Sequence, residues 1–236
     1  MTTEQTMPLI LMYHSVDHRV ADPHLITVSP RRFERQMRWL RRKNLRGVSM
    51  ATLLRARQDG QARGLVGLTF DDGYADFFSR AVPVLVRYGF GATVFVVTER
   101  IGATNAWDEG PSKPLMHEEQ IRAVARCGME VASHGAQHRS LPTLNDHDLH
   151  HELKQSRATL ENLLDRPVPG FAYPYGHVSP REITAVRDAG YDYGCAIWGD
   201  HPEVHALPRT YVGERDAYLR LQAKTARHHW RWNLRR

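Results

Sequence analysis

Cysteine is scarce in this sequence: Cys127 and Cys195 are the only two among 236 residues. A single pair so far apart cannot make a disulfide scaffold, and two free thiols are expected. Long apolar runs are missing too, for nothing approaches the roughly 18 residues that a membrane-spanning helix requires. The first sixteen residues, MTTEQTMPLILMYHSV, have no basic leader region and no small-residue cleavage site behind their short apolar run. A cytoplasmic chain without signal peptide or transmembrane segment is the expectation. There is no low-complexity tract or internal repeat, and 42% hydrophobic with 25% charged residues excludes disorder. The length suits one well-buried core and is awkward for two. One domain over residues 1–236 is therefore expected, with a core at about 8–213 and a basic helix and tail at about 214–236.

Negative charge is in short supply. With 32 Lys and Arg against 26 Asp and Glu, the net charge of +6 favours an anionic partner without naming it. The excess gathers in the stretch Arg31 to Arg46 and in the tail RHHWRWNLRR, Arg227 to Arg236, where Trp230 and Trp232 alternate with Arg and His. That tail reads first as a solvated last helix with a frayed end, and alternatively suits peripheral membrane contact or a phosphate-bearing carrier. No nucleic-acid-binding motif is recognisable and the arginines are dispersed on helices, so no nucleic-acid partner is expected.

What the chain does have is alternation. Apolar runs of strand length recur at Leu9 to Tyr13, Leu65 to Phe70, Ala92 to Val97, Met129 to Ala132, Phe171 to Tyr173, Tyr193 to Ile197 and Leu207 to Val212. Between them lie helical periods such as Phe33, Met37, Leu40 and Leu149, Leu153, Leu160, Leu163, Leu164. Ser29 before Pro30, and Asn145 before an acidic turn, mark helix starts. Gly47, Gly89, Gly128 and Gly190 each follow a helical stretch, where a left-handed C-cap would close it. About seven such units predict an α/β fold, a distorted (β/α)7-type barrel of mostly parallel strands. In such folds chemistry sits just past the carboxyl ends of the strands. Those ends read Tyr13-His14, Phe70-Asp71-Asp72-Gly73, Ala132-Ser133-His134, Tyr173-Pro174-Tyr175-Gly176 and Trp198-Gly199-Asp200.

Three of these ends carry candidate chemistry. Asp71 and Asp72 are adjacent carboxylates that repel each other and need a cation or a shared proton. The glycine behind them would let the backbone turn both into one mouth, one to bind a metal and the other to take a proton from water. A plain helix cap near Tyr74 is the alternative. His134 and His138 stand four apart with Gly135 between them. That spacing alone carries no weight among 14 His, since His14 with His18, His147 with His151, and His201 with His205 share it. Only the first pair directly follows a short strand and has a carboxylate partner of similar placement. His147 and His151 read as solvated residues on a polar helix face. Two imidazoles and one carboxylate leave a vacant metal position for water, as metal-assisted hydrolysis requires. Tyr173, Pro174 and Tyr175 form a stiff aromatic turn suited to a sugar, with an amide N–H available to an oxyanion; a turn without a role is the alternative.

The motifs TFDDGY at Thr69 to Tyr74, SHGAQH at Ser133 to His138 and FAYPYG at Phe171 to Gly176 occur in order, and from Met12 to Val212 the chain resembles the polysaccharide deacetylase family, carbohydrate esterase family four, with its chitooligosaccharide deacetylase homology domain. The resemblance implies a metal-dependent N-deacetylase of an acetylated amino sugar. It makes Asp71 the catalytic base, Asp72, His134 and His138 the metal ligands, and the Tyr175 N–H an oxyanion donor. The donor set favours Zn2+, with Co2+, Ni2+, Mn2+ or Fe2+ as alternatives. Two departures stand out. Many members have an arginine in the third motif where this chain has Ala172, and no Leu-x-Leu-x-His strand follows Val212. The opening Leu9-Ile10-Leu11-Met12-Tyr13-His14 is similar to the permuted branch of the family, which makes His14 the candidate acid and Arg209 the residue that orients the base. A noncatalytic sugar-binding domain, an O-deacetylase and an amidohydrolase of another acyl substrate are the rival readings.

Overall fold

The structure, a computed structural model, describes residues 7–18, 21–197 and 203–234. The rim segment Trp198-Gly199-Asp200 and His201 lie outside the described residues. The elements follow in the order β1 (Ile10–Tyr13), β2 (Ser15–Val16), β3 (Thr27–Val28), α1 (Pro30–Arg42), β4 (Arg46–Val48), α2 (Met50–Gln58), β5 (Leu65–Phe70), α3 (Val82–Tyr88) and β6 (Thr93–Val96). Then come α4 (Glu118–Arg126), β7 (Glu130–Ser133), α5 (Asp146–His150), α6 (Ser156–Leu164), β8 (Gly170–Ala172), α7 (Pro180–Asp188), β9 (Tyr193–Ala196), β10 (Leu207–Pro208), β11 (Thr210–Tyr211) and α8 (Tyr218–His229).

Every pairing between these strands is parallel. The sheet runs β9, β8, β7, β6, β5, β1, and the closing run Leu207–Tyr211 joins its two ends: β10 pairs with β9, and β11, one residue later, with β1. Arg209 sits at the switch between the two partners. β4 lies along the first half of β5. With β10 and β11 taken as one strand, this is a single-domain, nearly closed barrel of eight parallel strands. β4 is the member that the seven apolar runs did not show.

Side chains alternate with the period of a pleated strand. Ile10, Phe95, Ala132, Ala172, Cys195 and Leu207 point into the barrel and pack together. Leu11, Tyr13, Leu68, Phe70, Val94, Val96, Val131 and Phe171 point outward beneath the helices. Both faces are buried, which is why the strands read as unbroken apolar runs. Tyr13 stacks on Phe70 with centroids 5.2 Å apart, and Phe33 and Phe77 close round them. Each such ring pair contributes about 0.5–1.5 kcal/mol beyond its buried area. The cluster stiffens the two strands whose next residues are His14 and Asp71.

At the amino ends of the strands, α2 plugs the barrel. Its first amides donate to Thr93 Oγ1 (Met50 N, 2.8 Å) and Glu130 Oε2 (Ala51 N, 2.8 Å), and the Thr93 and Tyr193 hydroxyls donate to the same Glu130 carboxylate at 2.8 and 2.7 Å. Ser29 and Asn145 cap their helices as the sequence predicts, and Gly89, Gly128 and Gly190 have positive φ. Gly47 corrects the expectation. It lies inside β4, and Asn44, at φ 55°, makes the left-handed turn instead. Glycine is needed at position 47 because a Cβ there would stand 2.3 Å from Leu68 Cδ1. Cys127 is exposed and Cys195 buried, both as free thiols. Among the described residues no helix is long and apolar enough to cross a membrane.

The last helix is docked along part of its length. Tyr218 meets Trp39 edge-on, Leu221 is buried, and His228 Nε2 donates to the Met7 carbonyl at 3.1 Å. Its remaining face is in solvent.

Candidate metal and catalytic centre

The barrel's register assembles the site. Tyr13 pairs with Phe70, and the Asp71 N–H donates to the Tyr13 carbonyl at 3.0 Å, so His14 and Asp71 emerge side by side. His14 Nε2 stands 4.0 Å from Asp71 Oδ2. On the next ladder Val96 pairs with Ser133, and the His134 N–H donates to the Val96 carbonyl, which sets the first histidine beside the end of β6.

Getting Asp72 to face the histidines takes an unusual backbone. Asp72 has φ 74° and Gly73 φ 75°; His138 has φ 63° after Gly135 at 84°; Tyr175 has φ 60° before Gly176 at 71°. A non-glycine residue in the left-handed region is disfavoured, and three of them meet on this rim. The tight turn at the end of β5 therefore uses Asp72 itself as well as the glycine behind it. As a result Asp72 Oδ1 lies 3.4 Å from His134 Nε2 and 3.4 Å from His138 Nε2, with one ligand atom from each residue inside a 4.8 Å span.

These three residues fit a divalent ion. His134 Nδ1 is 2.8 Å from the Ala172 carbonyl, an acceptor only, so Nδ1 carries the proton and a neutral ring turns its Nε2 lone pair toward Asp72. An electron-rich hollow of buried lone pairs and a carboxylate is unfavourable unless a cation or extra protons fill it. The titration tendencies agree. Burial by itself raises the Asp72 pKa, yet hydrogen bonds from His134 and His138 outweigh it and hold the carboxyl well below its ordinary range. Burial by itself disfavours charge on His134, but Asp72 and Asp71 prevail and raise its pKa.

Asp71 is held differently. The Arg209 guanidinium clasps it from inside the barrel, Nη1 to Oδ1 at 2.6 Å and Nη2 to Oδ2 at 2.8 Å. Nε donates to the Ala196 carbonyl at 3.2 Å, Nη1 also to Thr69 Oγ1 at 3.3 Å, and the Phe95 ring lies 5.6 Å beneath. Burial pushes the Asp71 pKa up, but the charge of Arg209, followed by His134 and His14, brings it below the ordinary value. The arginine that reaches Asp71 thus comes from the barrel's closing run, not from the third motif, where Ala172 stands. His14, the candidate acid, responds differently to its surroundings. Burial is the dominant influence and lowers its pKa, although Asp72 and Asp71 oppose.

The third motif divides its work. Tyr175 is 38% exposed; its ring meets His138 edge-on at 4.7 Å, and its hydroxyl donates to Asp108 Oδ1 at 3.1 Å. Tyr173 borders the cleft, but its hydroxyl is committed to the His205 carbonyl at 2.7 Å. Pro174 is buried and does not line the cleft: it lies behind the His134 loop, 3.9 Å from where a Gly135 Cβ would stand. The cleft, of about 250 Å³, takes in His14, Asp71, Asp72, His134, His138 and Tyr175.

Two neighbours escaped the sequence reading. Trp107 stacks on the His138 ring with centroids 4.5 Å apart. It stands in a loop without periodicity, which left no signal. Glu152 is buried in a π-helical turn, His151–Gln155, between α5 and α6, and accepts the Ala136 N–H at 2.8 Å and the Gln137 N–H at 3.0 Å, tying down the loop that carries both histidines. Here a signal existed: Glu152 falls on the apolar face marked by Leu149 and Leu153, where a carboxylate needs a reason. His147 is exposed and beside Asp148, as expected of a solvated residue, and His151 is likewise exposed.

The chain is similar to known proteins in sequence and in fold. YxkH of Bacillus subtilis is 29% identical over 187 residues, 78% of this chain and 62% of that one. The poly-beta-1,6-N-acetyl-D-glucosamine N-deacetylase of Staphylococcus epidermidis is 24% identical over 72% of this chain and 61% of its own length. The chain thus spans about three-fifths of the length of these curated relatives. In fold it is similar to BC0361, a polysaccharide deacetylase from Bacillus cereus, with a TM-score of 0.80 at 23% identity over 95% of this chain and 70% of that one. A family model described as polysaccharide deacetylase matches residues 58–194, from the strand before Asp71 to the strand after Tyr175. That match covers more than half of the sequence, and the chain belongs to the polysaccharide deacetylase family.

Proposed function

We propose that this chain is a metal-dependent hydrolase that removes N-acetyl groups from an amino sugar of a polysaccharide, oligosaccharide or carrier-linked glycan, releasing acetate. The observation that carries the reading is Asp71, a buried carboxylate with both oxygens engaged by one arginine, next to three converging ligand atoms. The name of the Staphylococcus epidermidis relative supports an amino-sugar polymer as substrate. Asp72, His134 and His138 would hold the ion, Zn2+ by their chemistry, with Co2+, Ni2+, Mn2+ and Fe2+ as alternatives. Such an ion, when bound, lowers the pKa of water and polarises an acyl oxygen.

The protein's own groups do the rest. Asp71 accepts a proton as water adds to the acetamide carbonyl. Arg209 keeps that carboxylate ionised and fixes its direction. The Tyr175 N–H donates to the developing oxyanion. The C–N bond then breaks, and the departing nitrogen takes back a proton from His14. His14 Nε2 stands 4.0 Å from Asp71 Oδ2, so the proton collected by Asp71 returns through His14 by way of one bridging water.

Asp71→Asn should lower acetate release by about 10²–10⁴-fold while leaving the metal content, read by elemental analysis, unchanged. Retained turnover would remove Asp71 from its role. Acetate release from chitooligosaccharides, peptidoglycan fragments, a sugar nucleotide and a lipid-linked amino sugar, each beside an O-acetylated counterpart, sets substrate class and bond type together.

A further inference from the structure

Outside the catalytic cleft, one concentration of positive charge lies against the run that closes the barrel. Arg220, Lys224, Arg227 and Arg231 follow at intervals of four, three and four, so they share one face of α8 and its continuation Trp230–Leu234. They line two adjoining hollows of about 330 and 300 Å³ that meet at Tyr211, Lys224 and Arg227; the first also has the carboxylates of Asp22, Glu214 and Asp216 in its wall, each accepting hydrogen bonds from other groups, and the second has no acidic residue. Lys224 is tied to Asp216 Oδ2 at 2.6 Å and to the Tyr211 carbonyl at 2.7 Å. Among the described residues, Arg220, Arg227 and Arg231 have no carboxylate partner.

The helix dipole does not account for this arrangement. It favours Arg227 in the last turn of α8, but it disfavours a cation at Arg220, the third residue, in a first turn that holds no acidic side chain. The opposite wall is the run that closes the barrel, with Pro208, Thr210 and Tyr211. Within that run Arg209 sends its guanidinium inward to Asp71, and Ile197 lines both this groove and the catalytic cleft. A single strand separates the buried carboxylate from this groove.

We infer that this groove binds an oxyanion, phosphate or carboxylate, carried on the same glycan whose acetamido group enters the cleft, so that the substrate is an anionic acetamido glycan. The inference rests on the deacetylase reading above. Guanidinium forks match the geometry of phosphate and carboxylate oxygens. The groove is concave and walled by a strand, a shape that takes a chain rather than a flat plane of lipid headgroups.

The test offers an N-acetylated oligosaccharide in three forms: neutral, bearing a phosphodiester and bearing a uronate. The Arg220→Ala/Arg227→Ala pair changes two exposed side chains, and circular dichroism checks that the fold is kept. Exposed ion pairs are individually weak, so the pair of substitutions should raise KM about tenfold for a charged substrate, leaving kcat and the neutral substrate's KM unchanged. A response to only one charged form identifies phosphate or carboxylate as the group bound. Equal KM values for all three substrates in both proteins would overturn the inference. Calorimetric binding of tripolyphosphate reads the groove without catalysis: the unsubstituted chain should bind and Arg220→Glu/Arg227→Glu should not. If no acetylated sugar is turned over yet this difference in binding persists, the deacetylase reading falls and the oxyanion groove stands. Co-sedimentation with phosphatidylserine vesicles that the substitutions abolish, without effect on any soluble ligand, would overturn the inference in favour of a membrane surface.

Discussion

The two ends of the barrel each hold carboxylates, half-buried at the floor and buried at the rim, and they are satisfied in opposite ways. At the amino-end floor, Glu130 receives two hydroxyls and a backbone amide, all neutral donors already in place. At the carboxyl-end rim, Asp71 is clasped by a guanidinium, and Asp72 faces two imidazoles whose nitrogens stop 3.4 Å away. The rim also concentrates three non-glycine residues with positive φ. A carboxylate that only fastens a helix needs neutral donors and relaxed backbone. One that is to exchange protons or bind a cation is surrounded by charge and titratable groups, and strained turns hold it there.

Breaking the rim should therefore damage chemistry, and breaking the floor should damage stability alone. The largest effect is expected from Arg209→Met, which leaves Asp71 buried and unpaired. Removing one partner of a buried ion pair costs about 3–5 kcal/mol, readable in denaturant titrations. The sign of the pH effect follows from the opposing influences on Asp71. Arg209 lowers its pKa and burial raises it, so without Arg209 the pKa rises. The base form is then lost sooner on acidification, and the acid limb of the pH–rate profile should move to higher pH. An unmoved limb would mean that Asp71 does not titrate in the rate-limiting step.

Glu152→Ala should come next. It frees the Ala136 and Gln137 amides between the two histidines, costing about 1–3 kcal/mol of stability and weakening metal affinity about 10–100-fold, measured by competition with a chelator. Glu130→Ala should have the smallest catalytic effect. It strands the Tyr193 and Thr93 hydroxyls and lowers stability by about 1–3 kcal/mol, while kcat/KM stays within about twofold. A large loss of kcat/KM with Glu130→Ala would erase the contrast between the two ends.

Much of the rim was legible in the sequence because its residues follow apolar runs directly. Asp71, Asp72, His134 and Tyr175 all lie within a few residues of a strand end, and the position rule for parallel α/β folds locates them. Arg209 was reached only through family resemblance. It lies in the middle of the closing run, and nothing local says that this run changes partner there. The floor was not legible. β4 has three residues, too few to show a period, and Gly47 reads as a helix cap when its role is close packing against Leu68. Contacts such as Glu152 to Ala136, or Trp107 to His138, join segments whose separation no periodic pattern encodes.

The convergence of Asp72, His134 and His138 on one ion is tested most directly by anomalous diffraction at the zinc edge, from crystals grown with Zn2+. A single strong peak at about 2.0–2.2 Å from a carboxylate oxygen of Asp72 and from Nε2 of both histidines is the predicted result. A zinc-saturated crystal with no peak there, or with a peak that leaves either imidazole out, would contradict it.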